Sequence, residues 1–418
     1  MSEERTVVSF DHHSAEFAAD PVGALDSLRE RCPVAWSDSY GGFWVLTRYE
    51  DVGNVLNDAA TFSSRHDLEP GSAYQGASIP PPPMRFVPLE LDPPEFLPYR
   101  RLLNPSFSPA AVARHRPLVE NFTDWCIDRV HASGRIDFVD DLTSPVPAMV
   151  TLNLLGLPVE DWPRHAAAWH GSVAHPPDSP AHAEAVAAQM SIREDLAAEV
   201  ESRRGRPERE RSGLIDVCVD AEIDGAPIDK KTLVDIFVLV LAGGVDTTTG
   251  AAAGALAYLS EHHDDRRRLI ADPALIGPAC EEFLRWITPS PVLGRTANVA
   301  TEIGGRCIAP QDRVMTNLFA ANRDPVAFDR PEEVLFDRPN KRHAAFGFGI
   351  HRCIGANLAR MEIQAMISRV LARIPDYEVD AGGVERYHTA GIQNGFISVP
   401  ATFSPLIAER SIPPSHES

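Results

Sequence analysis

Ten residues constrain this chain more than any others: Phe346-Gly347-Phe348-Gly349-Ile350-His351-Arg352-Cys353-Ile354-Gly355, a glycine-rich stretch that delivers one cysteine to the start of a helical pattern. From Ala356 to Leu371 apolar residues return at helical spacing, among them Leu358, Met361, Ile363, Met366 and Val370. The spacing predicts a helix with Cys353 at its start, where free backbone N–H groups and the positive helix end favour thiolate over thiol. Such a sulfur is a soft, anionic metal ligand, and the hydrogen bonds it accepts tune its electron donation. Gly347 and Gly349 let the backbone approach a large planar group, and Phe346 offers a ring to shield the sulfur from water. The competing readings are a buried free cysteine in a turn, the usual fate of a lone Cys, and a dinucleotide loop. The second fails, because Gly347-x-Gly349 lacks the glycine required three residues on.

The remaining sequence has to build a core around that cysteine. At 418 residues two or three domains are allowed, yet a large helical enzyme built round one cofactor reaches this size as one unit. A single domain over residues 1–418 is expected, with residues 1–20 and 405–418 peripheral. Hydrophobic residues make up 44% and charged ones 23%, which excludes disorder as the main description. The net charge of −20 argues against nucleic acid as a general partner, so any basic docking site must be local. Six scattered cysteines without a Cys-x-x-Cys pair suggest neither a zinc site nor a disulfide framework, and a reducing cytoplasm is the expected setting. No long apolar run follows the charged Met1–Arg5, so neither signal peptide nor membrane anchor is expected.

Residues 33–37 and 43–47 read as a hairpin, and the proline-rich 63–94 as a long irregular loop. Asp92–Glu95 opens a helix carrying Arg100. Helical periodicity over 115–170 is interrupted at Pro145 and Pro158. A break at 171–180 then precedes a helix at 181–203, a pair that could act as a lid. Residues 203–211 read as a solvated linker. The run Leu233–Ala242 is apolar nearly all round, as in a helix through the middle of a large protein, and is too short to span a membrane. Gly243 and Gly244 follow it, each costing about 1 kcal/mol relative to alanine in a helix; a groove for a small ligand would offset that. Thr247 can return its hydroxyl to the Gly243 carbonyl, loosening the helix, and Asp246 supplies a proton-carrying carboxylate. A phosphate loop is excluded because no Gly-Lys-Ser or Gly-Lys-Thr follows. Glu282 and Arg285 share one helix face.

The pattern Phe-Gly-x-Gly-x-His-x-Cys-x-Gly resembles the haem-binding loop of the cytochrome P450 family, and the resemblance runs from about Pro33 to the C-terminus. It implies a mainly α fold with a small β-rich region and haem b between the central helix and the cysteine-bearing helix. Cys353 would be the iron ligand, within a loop that includes Phe346, Gly347 and Gly355. Asp246 and Thr247 match the family's acid-alcohol pair for proton delivery. Arg338 joins Glu282 and Arg285 in a structural ion network. Arg100, Arg295 and His351 match propionate-binding positions. Phe96 stands where the family often has a histidine, so no propionate hydrogen bond is expected there. The implied reaction is monooxygenation of an apolar small molecule, such as a terpenoid, fatty acid, steroid or aromatic. Met84, Phe86, Gly243, Val245, Val292, Leu293, Ile392 and Phe396 are the expected pocket residues, and the turn 391–396 is expected to tip a hairpin into the pocket. With no flavin or nicotinamide fingerprint in the chain, electrons would come from NADH or NADPH through a ferredoxin or flavodoxin and its reductase. Arg100, Arg101, Arg352 and Arg360 would form the docking patch. A peroxide-driven haem-thiolate enzyme and a haem-based gas sensor or carrier are the alternatives.

Overall fold

The structure, a computed structural model, describes residues 5–405 apart from 208 and 210. Nearly all of the tail expected to be peripheral therefore lies outside the described residues. Val34–Ser37 and Phe43–Leu46 form the expected antiparallel hairpin, with Val34 opposite Leu46. At its turn Gly42 takes a φ of 97°, and the Trp36 ring occupies the space a side chain there would need. The hairpin belongs to a six-stranded sheet ordered Val7–Val8, Val34–Ser37, Phe43–Leu46, Arg313–Asn317, Val292–Ala297, Phe62–Ser63. The inner strands Phe43–Leu46 and Arg313–Asn317 are buried along their whole length, which is why Phe43–Leu46 reads as a continuous apolar run rather than an alternating one.

Residues 64–95 hold no helix or strand beyond an isolated His66–Gln75 bridge. A buried carboxylate organises this loop. Glu90 accepts the Ala77 N–H at 2.9 Å and the Phe86 N–H at 2.8 Å, and meets His66 Nδ1 at 3.0 Å. Only glycine fits at 76, where a Cβ would stand 2.0 Å from Glu90 Oε1.

Helices follow at Phe96–Leu103, Pro109–Val130, Pro145–Leu155, Trp162–Ala174 and Pro180–Arg203. Pro145 opens its helix rather than interrupting one, as do Pro109 and Pro180; proline is tolerated in the first turn because its missing N–H would have no partner there. The helix Trp162–Ala174 runs past Gly171, so the break before the next helix is shorter than expected. Arg203 corrects the linker reading: it is buried, donating to Asp216 at 2.8 Å and to the Ser212 carbonyl at 3.1 Å.

Next come Lys230–Gly244 and Asp246–Glu261, broken only at Val245, then Ile276–Ile287 and Ala356–Arg373. A continuous hydrophobic core from Met84 to Phe403 is built on these four and on the preceding helices. The ten-residue apolar run turns out to be part of a 32-residue helical stretch, Lys230–Glu261, long and apolar enough to cross a membrane. It lies instead in the core, with 67% of its most apolar window buried.

Candidate active site

Gly347 and Gly349 adopt φ of 64° and 69°, and a Cβ at 349 would stand 2.2 Å from the Leu56 carbonyl. The loop they shape is closed by the Cys353 N–H, which donates to the Phe346 carbonyl at 2.9 Å. Gly355 caps the following helix. Cys353 lies deep in the molecule yet is exposed, because the surface it presents is cavity surface. Burial pushes its thiol up, and the Gly355 N–H with Arg100, Arg352 and Arg360 only partly offsets this. A bound metal cation would favour the thiolate further.

Opposite the sulfur stands the central helix. Ile236, Leu239, Val240, Gly243 and Thr247 face Phe346, Gly347, Cys353, Gly355 and Leu358 across one cavity. The cavity between them is lined mostly by apolar groups. The two helix-breaking glycines serve different ends. A Cβ at Gly243 would meet nothing within 4 Å, whereas one at Gly244 would stand 2.5 Å from Thr151 Oγ1. The first opens the cavity; the second lets the helix Pro145–Leu155 pack closely. Thr247 Oγ1 donates to the Gly243 carbonyl at 3.0 Å.

The residues fit a flat, dianionic macrocycle. On the cysteine side, a Cβ at Gly347 would meet only Leu293, at 3.7 Å, and one at Gly355 only the Cys353 sulfur, at 3.9 Å. At one rim stand Arg100, whose Nη2 donates to the Arg352 carbonyl at 2.8 Å, and His351, whose Nε2 meets Ser64 Oγ at 2.9 Å. His351 Nδ1 is buried without a partner. Burial, with Arg295 and Arg100 nearby, pushes His351 down to about 3. Arg295 is itself buried, off the cavity wall, and donates to the Gly294 carbonyl at 2.7 Å. Phe96, in place of a histidine, sets its ring edge-on to His351 at 4.5 Å.

Of the expected pocket residues, Gly243 and Leu293 line the cavity. Met84 and Phe396 belong to the main core, and Phe86 packs on it. Val245 is fully buried at the helix break, Val292 packs with the N-terminal cluster, and Ile392 packs beside Tyr387. Periodicity and loop position could not say which way these side chains turn. The wall instead uses Pro88, Leu89, Thr151 and Leu154. The 391–396 turn stops short of the cavity: Asn394 donates to the Pro289 and Ile287 carbonyls and lies against Gly250 of the central helix. Asp246 is likewise off the wall, buried and bonded to His170 and Tyr387. No sequence pattern singled out these partners, or Glu90. Glu362 was also missed; it lines the cavity, and burial holds it well above the carboxylate range.

Glu282, Arg285 and Arg338 meet in the interior, all at most 3% exposed. Glu282 Oε1 accepts from Arg285 Nε and Arg338 Nε, each at 2.9 Å, and Oε2 accepts the Leu335 N–H at 3.0 Å. The spare guanidinium N–H groups reach the Asn322, Pro331 and Glu333 carbonyls. A second brace lies nearer the cysteine: Arg360 pairs with Glu281 at 2.6 and 2.9 Å while its guanidinium lies over the Phe346 ring at 4.5 Å.

A lone sulfur beneath open apolar space, in a mostly helical protein, is the arrangement of the haem-thiolate oxidoreductases. The family model described as Cytochrome P450 matches residues 274–379. An erythromycin C-12 hydroxylase from Saccharopolyspora erythraea is 33% identical over 91% of this chain and 95% of its own. A putative cytochrome P450 from Bacillus subtilis is 32% identical over 86% and 89%. Among solved structures, a Mycobacterium marinum cytochrome P450 in complex with pseudoionone superposes with a TM-score of 0.85 at 27% identity, over 96% of this chain and all of that one. The chain belongs to the cytochrome P450 family. It is a bacterial-type monooxygenase that hydroxylates small molecules with a haem-thiolate centre, which sets aside a gas carrier without turnover.

Proposed function

We propose that Cys353 is the haem iron ligand, that Arg100, His351 and Arg295 hold the propionates, and that the cavity admits one bulky apolar substrate beneath Gly243. The observation that carries this reading is the pairing of an exposed, deeply placed sulfur with Arg100 and the unpartnered His351 Nδ1 on the same cavity wall. When bound, haem supplies dioxygen activation, which no side chain of the protein can perform. The chain's own residues do the rest. Ile236, Leu239 and Val240 exclude water and orient apolar substrate. Thr247 spends its proton on the Gly243 carbonyl, which leaves its lone pairs free to accept from a protonated donor in the cavity. Asp246 is the adjoining acid, and Glu282, Arg285 and Arg338 keep the scaffold rigid. Relatives named for oxidising erythromycin and steroids support a bulky substrate.

Electrons come from NADH or NADPH through a ferredoxin or flavodoxin and its reductase. Exposed Arg101 and Arg352 support an acidic partner docking beside the cysteine loop. Arg360, tied to Glu281, is not available for that role. The whole chain acts as one catalytic domain, and its buried free thiols Cys126, Cys218 and Cys280 suit the reducing cytoplasm. Reduced, haem-loaded protein exposed to carbon monoxide should show the red-shifted band of thiolate ligation, and Cys353→His should lose it. A band that persists in the variant would overturn the assignment. Screening compounds for conversion of the ferric haem to high spin identifies the substrate class.

A further inference from the structure

Asp246 has no surface of its own for taking up protons. It is 2% exposed, it does not line the cavity, and its carboxylate is held from both sides. His170 Nδ1, on the helix Trp162–Ala174, meets Oδ1 at 2.9 Å. Tyr387 donates its hydroxyl to Oδ2 at 2.6 Å and stands 3.2 Å from the same His170 nitrogen. The place of Tyr387 is built in: a Cβ at residue 395 would lie 2.6 Å from its ring, so glycine is required there. The His170 side chain keeps 19% exposure, which makes it the member of the trio open to solvent.

We propose that His170 feeds protons to Asp246, with Tyr387 as the positioning residue that fixes the carboxylate, so that protons reach the central helix by way of the helix Trp162–Ala174. This rests on the reading of Asp246 as the acid of the site. The step balances without further reagents. The His170 imidazolium gives its Nδ1 proton to Oδ1, turning an ion pair into a neutral pair. Asp246 then passes a proton towards the cavity, and solvent returns one to the imidazole. The surrounding groups suit the reloading of the imidazole. Burial lowers the proton affinity of His170, but the hydrogen bond to Asp246, its charge and that of Asp140 outweigh this and raise it. His175, just past the end of that helix, is a neighbouring imidazole whose own proton affinity His170 lowers. Tyr387, buried against Asp246, is held well above the ordinary phenol range, so it remains an O–H donor and does not compete as an acid.

The test separates proton feeding from mere grip. His170→Arg keeps a cation against Asp246 but gives up no proton near neutral pH. Ferredoxin-driven hydroxylation of a compound that shifts the haem to high spin should fall roughly tenfold or more in this variant, while thermal midpoint and spin shift stay near the parent's. Hydrogen peroxide brings its own protons, so peroxide-driven oxidation of the same compound should survive. Arginine restoring full reductant-driven turnover would overturn the proposal, because a structural contact would then suffice. A second arm needs no haem: the His170 ring titration, followed by NMR in the full chain, should move to lower pH in Asp246→Asn. An unmoved midpoint overturns the coupling. If the carbon monoxide band of the parent fails, the reading of the site falls with the proton-feeding role, while this titration still decides whether His170 and Asp246 are coupled.

Discussion

Replacing Glu281 with glutamine removes the charge that braces the cysteine loop, and the size of the effect can be worked out. Burial alone would raise the Glu281 carboxyl, but hydrogen bonds and charge from His343 and Arg360 overcome it and hold the group down to about 2, from an ordinary 4.5. At about 1.4 kcal/mol for each tenfold change in proton affinity, the charged form contributes about 3 kcal/mol to folding. Because the folded value is depressed, that contribution is fully present above the unfolded value and drains away as pH falls towards the folded one. Glu281→Gln should therefore be less stable than the parent by about 3 kcal/mol near neutral pH and by about 2 kcal/mol at about pH 3.5. Urea midpoints taken on both proteins across that range measure the gap directly, since other acid effects are common to the two. A gap under about 1 kcal/mol at neutral pH, or one that does not narrow on acidification, would refute the argument.

The two central glycines predict opposite outcomes. Gly243→Ala faces open space and gains helix propensity of about 1 kcal/mol, so its thermal midpoint should rise while bulky ligands bind more weakly. Gly244→Ala drives a methyl group against Thr151, at 2.5 Å, and should lose about 1–3 kcal/mol by overpacking. In Glu90→Gln an amide N–H₂ replaces one acceptor and faces another donor, costing about 1–3 kcal/mol. Hydrogen exchange of the amides in 64–91 should accelerate there, and unchanged protection would show that the loop is tied elsewhere. Partner docking at the exposed arginines predicts that ferredoxin-driven turnover falls with rising ionic strength and in Arg352→Glu; indifference to both removes that patch.

Elements set by local chemistry are legible in the sequence. The hairpin at 34–46 and the helix after Cys353 follow from short-range periodicity, and the Thr247 bond to Gly243 follows from four-residue spacing alone. What is not legible depends on direction. Met84, Phe396 and Ile392 are apolar residues in plausible segments, yet each turns into packing rather than into the cavity, because sequence fixes which residues are apolar but not which neighbour covers them. Arg203 looks solvated in a charged run, but the partners that bury it, Asp216 and the Ser212 carbonyl, lie beyond the run's local chemistry. The grip of His170 and Tyr387 on Asp246 joins residues 76 and 141 positions away, a juxtaposition that only tertiary packing creates.

The 32-residue stretch Lys230–Glu261 would suit lipid by length and oiliness, and for a newly made chain that is a hazard, since insertion machinery reads such segments before tertiary packing can hide them. Asp246 sits midway along it, and an aspartate near a bilayer's midplane costs about 2.5–3.5 kcal/mol. The acid at the helix break thus also marks the segment as one to be kept out of membranes, and an apolar residue at that position would erase the mark along with the charge.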